Sequence, residues 1–157
     1  MKILGIDPGI LNVGIAVIEF KSELTTSIIT CTVNTNKSQA LENRLQYIVK
    51  NIIDVIHIHN PSYLAIEEIF VNKNPQSSLK LAQSRGAIIY AAHDLGLKIM
   101  EMSPKEIKKN ITGTGKAQKE QIIYMTKALI KDANPNNDHE ADALACAYAA
   151  IAIAKSQ

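Results

Sequence analysis

Lys2-Ile3-Leu4-Gly5-Ile6-Asp7-Pro8-Gly9, almost at the amino terminus, decides how the rest of the chain is read. Its apolar run stops at a carboxylate, and Pro8-Gly9 then forces a turn. A short apolar run bounded by a turn reads as a buried strand. An Asp before Pro-Gly is a common turn residue. It is also a carboxylate at the end of a buried strand, which calls for a partner or a cation. Strand ends are where ligands collect in α/β proteins.

The segments that follow set this strand in a sheet. Residues 12–20 and 27–34 are rich in Ile, Val and Thr, with breaks at Lys21-Ser22 and Asn34. With residues 2–7 they predict an antiparallel meander of three strands. Leu41, Leu45, Ile48, Val49, Ile52, Ile53 and Ile56 recur at helical spacing over residues 39–58, and Pro61 ends that helix. A strand at 62–67, a polar loop at 70–76 and a helix at 77–95 closed by Gly96 come next. Residues 97–102 read as a fifth strand. Pro104 opens a short helix, broken by Gly113-Thr114-Gly115, and helices follow at 117–131 and 138–154. The order predicts an α/β fold with a mixed five-stranded sheet flanked by helices. There is no repeat or linker, so residues 1–157 are expected to form one domain.

The chain has 157 residues, 46% hydrophobic and 20% charged, a globular composition without a membrane-length apolar stretch. The opening residues lack the apolar core and cleavage site of a secretory signal. Cys31 and Cys146 sit in apolar surroundings and read as reduced core thiols, so a cytoplasmic protein is expected. The net charge of +2 argues mildly against a nucleic-acid partner. It hides an asymmetry. Residues 73–131 hold eleven basic and four acidic residues, a charge of +7, and the rest carries −5. A basic central stretch suits a polyanion, although scattered lysines on a solvated face would look alike.

Acidic residues close one further element and open another. Glu67 and Glu68 end an apolar strand, and strand neighbours point to opposite faces, so only one can share a site. The last helix opens with Asp138-His139-Glu140-Ala141-Asp142. Asp138 is expected to cap it. His139 and Asp142 lie three apart on one face and form a plausible ligand pair. Carboxylates from three elements in one cleft would repel each other without cations. Oxygen ligands suit Mg²⁺ or Mn²⁺, and two such ions can drive phosphodiester cleavage.

With these residues in view, the chain resembles the RuvC-type Holliday junction resolvases, within the RNase H-like nucleases. The likeness runs through residues 3–9 with Gly14, then 65–70, 80–86, 108–113, 116–120 and 142–145. It implies an RNase H-like sheet of three antiparallel and two parallel strands. It also implies a metal-dependent endonuclease, acting as a homodimer, that nicks two opposed strands of a four-way DNA junction in recombination and repair. Asp7, Glu67 and Asp142 match the family's metal-binding acids. His139 stands where an Asp is frequent, and some members carry His there, which puts metal preference in question. Two Mg²⁺ ions per site are implied, with Mn²⁺ as a substitute.

Phe70, an aromatic in a polar loop, matches a residue that stacks on unpaired bases at the crossover; the alternative is a Phe anchoring the loop to the core. Lys73, Lys80, Arg85, Lys108, Lys116 and Lys119 are expected to contact DNA phosphates, with Lys108 and Lys119 near the reacting one. The helix at 77–95 resembles the family's dimer helix, with Leu81, Ile88 and Ala92 on one side and Ala82, Gly86 and Ile89 nearby; a buried core helix would look the same. A branch-migration motor partner and other branched DNA substrates stay open. Two rivals share these features: an RNase H-like enzyme cutting RNA–DNA hybrids, and a junction-binding protein without catalysis. An actin-like ATP-binding protein would need a second copy of the fold, for which the length leaves no room.

Overall fold

A computed structural model describes residues 1–71 and 73–156. The elements run β1 (Lys2–Asp7), β2 (Asn12–Lys21), β3 (Leu24–Asn34), α1 (Leu41–His59), β4 (Tyr63–Glu67), α2 (Pro75–Asp94), β5 (Lys98–Met102), α3 (Pro104–Thr112), α4 (Lys119–Leu129) and α5 (Asp138–Ser156). They build one five-stranded sheet in the order β3-β2-β1-β4-β5. β1, β2 and β3 pair antiparallel, while β4 and β5 join parallel to β1 and to each other. This is the mixed sheet expected from the order of apolar segments.

Strand alternation divides the core between the two faces. Ile3, Ala16, Ile18 and Ala65 pack with α3 and α5 on one side. Leu4, Ile6, Ile15, Val17, Leu64 and Ile66 pack with α1 and α2 on the other. On α1, Ile48, Ile52 and Ile56 are buried as the spacing predicts. α5 lies closest to the sheet, and its composition shows why. A Cβ on Gly5 would stand 2.2 Å from the Ala143 carbonyl oxygen, and one on Gly14 would stand 2.0 Å from the His139 carbonyl oxygen. Glycine in the strands and alanine along the helix permit that approach. Among the described residues, no helix is long and apolar enough to cross a membrane.

Several boundaries differ from the sequence reading. β3 starts at Leu24 rather than at residue 27, because Ser22 and Glu23 turn the hairpin at positive φ and residues after α4 bond to its outer edge. Ile28 bulges from that strand: Val17 pairs with Ile29, but Ile18 pairs with Ser27. α2 starts at Pro75, inside the expected loop, because the Asn74 side chain accepts from the Ser77 amide and Pro suits the first helical position. Residue 72 of that loop, and residue 157 of the expected domain, lie outside the described residues.

The two sides of α2, the helix read as either a dimer helix or a core helix, differ in burial. Ile88 and Ala92 are fully buried under the chain's own sheet, and Leu81 is half-buried. The outer stripe of α2 is Leu79, Ala82, Gly86 and Tyr90, all exposed. Equal apolarity on two sides of a helix does not reveal which side meets its own core.

Candidate active site

Asp7 and Glu67 meet because two parallel strands end together. The β1–β4 register runs to Ile6 beside Ile66, and the two acids are the next residue of each strand. Both are in phase with the residues facing α5, so their side chains share that face. Glu68 falls out of phase and is exposed. The first turns of α5 then bring His139 and Asp142 over the strand ends. His139 Nδ1 lies 2.7 Å from Asp7 Oδ2.

Two lysines face these acids. Glu67, Asp142, Lys108 and Lys119 line one cleft, with Pro104 and Ile107. Lys119 Nζ stands 3.0 Å from Asp138 Oδ2 and 3.6 Å from Asp142 Oδ2. α3 presents Lys108, and a capping box starts that helix: Ser103 Oγ accepts from the Glu106 amide, and the Glu106 carboxylate accepts from the Ser103 amide. Glu67 also opens on a second groove, lined with Asp7, Pro8 and Phe70.

The electrostatics follow from crowding. Burial pushes the Asp7, Glu67 and Asp142 carboxyls above the usual carboxylate range. Asp142 raises Asp7 further, and Glu67 feels both of the other acids. The His139 hydrogen bond opposes the rise at Asp7, and Lys119 opposes it at Asp142. Lys119 is held above its ordinary value, chiefly by its hydrogen bond to Asp138.

Hard oxygen donors with mutual repulsion fit Mg²⁺ or Mn²⁺. Among the described residues, no three His, Cys, Asp or Glu side chains are close enough to enclose an ion unaided.

The family model for the crossover junction endodeoxyribonuclease RuvC matches residues 3–150. The chain belongs to the RuvC family. The RuvC of Wolbachia sp. subsp. Brugia malayi is 40% identical over 147 residues, covering 93% of this chain and 91% of that one. The RuvC of Rickettsia typhi is 38% identical over 156 residues, 99% of both. Thermus thermophilus RuvC superposes with a TM-score of 0.90 at 28% identity, covering 99% of this chain and 96% of that one. The same enzyme in complex with Holliday junction substrate gives 0.93 at the same identity and coverage.

The remaining expected residues are scattered around the cleft. Phe70 is 67% exposed at the mouth of the second groove, so it does not anchor its loop to the core. Lys73, Lys80 and Lys116 are exposed; Lys80 shares a separate groove with Lys37, Arg44 and Ser77. Arg85 departs from expectation. It turns inward and spends its guanidinium on the Glu67 carbonyl and on Glu101. Asp138 does not cap α5 either. The Asn137 side chain accepts from the Glu140 amide, and Asp138 is the first helical residue, bonded to Lys119.

Supporting residues escaped the sequence reading. Buried Glu140 accepts from Thr32 Oγ1 and from the backbone and side chain of Asn136, tying the start of α5 to β3. The spacing Asn137-x-x-Glu140 is a helix-start signal that could have marked it. Arg44 donates to the Ile10 carbonyl at 2.8 Å and to Thr35 Oγ1 at 3.1 Å, bracing the turn after Asp7. Nothing in the local sequence announces that contact.

Proposed function

We propose that this cleft is the site of a divalent-metal-dependent endonuclease, that each chain is one catalytic domain, and that two chains act on one four-way DNA junction. The chain resolves Holliday junctions in DNA recombination and repair. The observation that carries the finer reading is the convergence of three acids: Glu67 and Asp142 on a cleft faced by Lys108 and Lys119, and Asp7 beside Glu67 on the adjoining groove.

Asp7, Glu67 and Asp142 would hold Mg²⁺ or Mn²⁺ through carboxylate oxygens, with His139 beside them. Bound there, two such ions supply the positive charge that activates an attacking water and offsets charge on the leaving oxygen. Asp7 fixes the His139 ring through the bond to Nδ1. Lys119 and Lys108 bring cationic charge to the phosphate under attack. When DNA enters, Lys119 exchanges a carboxylate for a phosphate partner. Phe70 offers an aromatic face beside the cleft to a base unstacked at the crossover. Lys73, Lys80 and Lys116 grip phosphates farther out.

The outer stripe of α2 serves as the dimer face, since small Ala82 and Gly86 let a second helix approach between Leu79 and Tyr90. Two such sites would nick opposed strands. The enzyme works in the cytoplasm, and a branch-migration motor is a fitting partner to supply its substrate.

The test is cleavage of mobile and fixed four-way junctions, linear duplex and an RNA–DNA hybrid, with Mg²⁺ and Mn²⁺ compared and nicks mapped. Paired nicks in opposed strands of the junction are expected. Binding without nicking would overturn the catalytic reading. Preferential cutting of the hybrid would overturn the substrate.

A further inference from the structure

Residues 84 and 85 of α2 reach the two strand ends that carry Asp7 and Glu67. Fully buried Ser84 donates its hydroxyl to the Gly9 carbonyl at 2.6 Å, two residues past Asp7. Arg85 Nε donates to the Glu67 carbonyl at 2.9 Å. That carbonyl lies past the last β1–β4 pair, Ile6 beside Ile66. The Arg85 Nη2 group pairs with Glu101, on β5. The Arg85 side chain is 14% exposed. A planar guanidinium serves two acceptors at once, which an ammonium does not.

We infer that Arg85 is a positioning residue for Glu67, held on target by Glu101, and not a phosphate contact. Its basic character suggested DNA, but a phosphate would have to displace a carboxylate and leave the Glu67 backbone without this donor. Glu101 also places negative charge where the phosphate would come. On the β5 side Glu67 pairs with Met102 and the Glu68 amide donates to the Met102 carbonyl, whereas on the β1 side the pairing has already ended at Ile66. The Arg85 clamp supplies the restraint on that side. Because Ser84 braces the turn after Asp7 from the same helical turn, α2 ties the placement of both acids to one rigid element. The inference rests on the nuclease reading above.

Single-turnover cleavage at saturating protein and junction binding across a salt series, without divalent ions, separate the two roles. Arg85→Ala should slow the saturating rate about a hundredfold, the cost of misplacing a reacting group by about 1 Å. Its junction affinity and salt slope should stay at the wild-type values. Arg85→Lys should not restore the rate. A lost phosphate contact would instead weaken binding and reduce the salt slope by about 1, and that result overturns the inference.

Glu101→Gln keeps the test alive if Arg85→Ala unfolds, since Glu101 is half exposed. It should lower the saturating rate about tenfold with binding unchanged, and add nothing further in an Arg85→Ala background. An unchanged rate, or tighter binding with a steeper salt slope from a released Arg85, overturns the clamp. Failure of the wild-type protein to nick any junction would instead overturn the nuclease reading.

Discussion

A single carboxylate can be asked what it holds. Asp7 is half-buried beside its partners, which raises its proton affinity, so its role is readable by isosteric exchange. Asp7→Asn should slow junction cleavage about a thousandfold, ~4 kcal/mol in the barrier, while junction binding in single-turnover conditions stays near wild type. Retained cleavage would remove Asp7 from the site. Glu67 tests the electrostatics. Its folded-state carboxyl lies above the ordinary range, through burial first and then Asp7 and Asp142. Between the unfolded value and the raised folded value, the folded state holds more protons, so stability falls as pH rises through that window. At neutral pH without divalent ions, Glu67→Gln should therefore melt higher than wild type, and Mg²⁺ should stabilise it less. A lower melting temperature at both low and neutral pH would contradict the crowded-acid account. Phe70→Ala should slow cleavage of intact junctions about ten- to a hundredfold, in line with one lost base stack. A pre-opened junction should be cut nearly as fast by both proteins; equal slowing on the two substrates would count against stacking.

At the scale of elements, the site depends on how closely α5 lies on β1 and β2. Gly14 faces the His139 backbone so tightly that any side chain must move the helix start. Gly14→Ala should cost about 2 kcal/mol in chemical denaturation, within the usual range for overpacking. It should also depress cleavage beyond what the unfolded fraction explains, because His139 and Asp142 ride on that turn. A variant with wild-type rate and stability would mean that the helix start is loosely held. The network of Asn136, Asn137, Glu140 and Thr32 argues that it is not. The same scale explains the mis-set boundaries. Ser22 and Glu23 turn without glycine, and the edge of β3 is completed by a segment more than a hundred residues away.

Across the whole molecule, near-neutral charge conceals a basic middle and an acidic remainder, and folding brings three of those acids, Asp7, Glu67 and Asp142, together with Lys108 and Lys119 beside them. If about four lysines displace counterions, junction affinity should fall about a hundredfold between 50 and 200 mM salt. Binding insensitive to salt, measured by titration, would refute the basic surface. Much of this was legible in one dimension. Apolar runs and their breaks carry the element order, because burial periodicity is a local property of the chain. The strand-end position of Asp7 and Glu67 and the helical pairing of His139 with Asp142 follow from the same periodicities. What the sequence could not decide was the direction of side chains whose chemistry suits two roles. Arg85 looked like a phosphate ligand and is turned onto Glu67 and Glu101; Ile88 and Ala92 looked available to a partner and are under the sheet. Asp138 looked like a cap, and its carboxylate goes to Lys119. Each of these depends on what stands opposite in space, and only packing sets that.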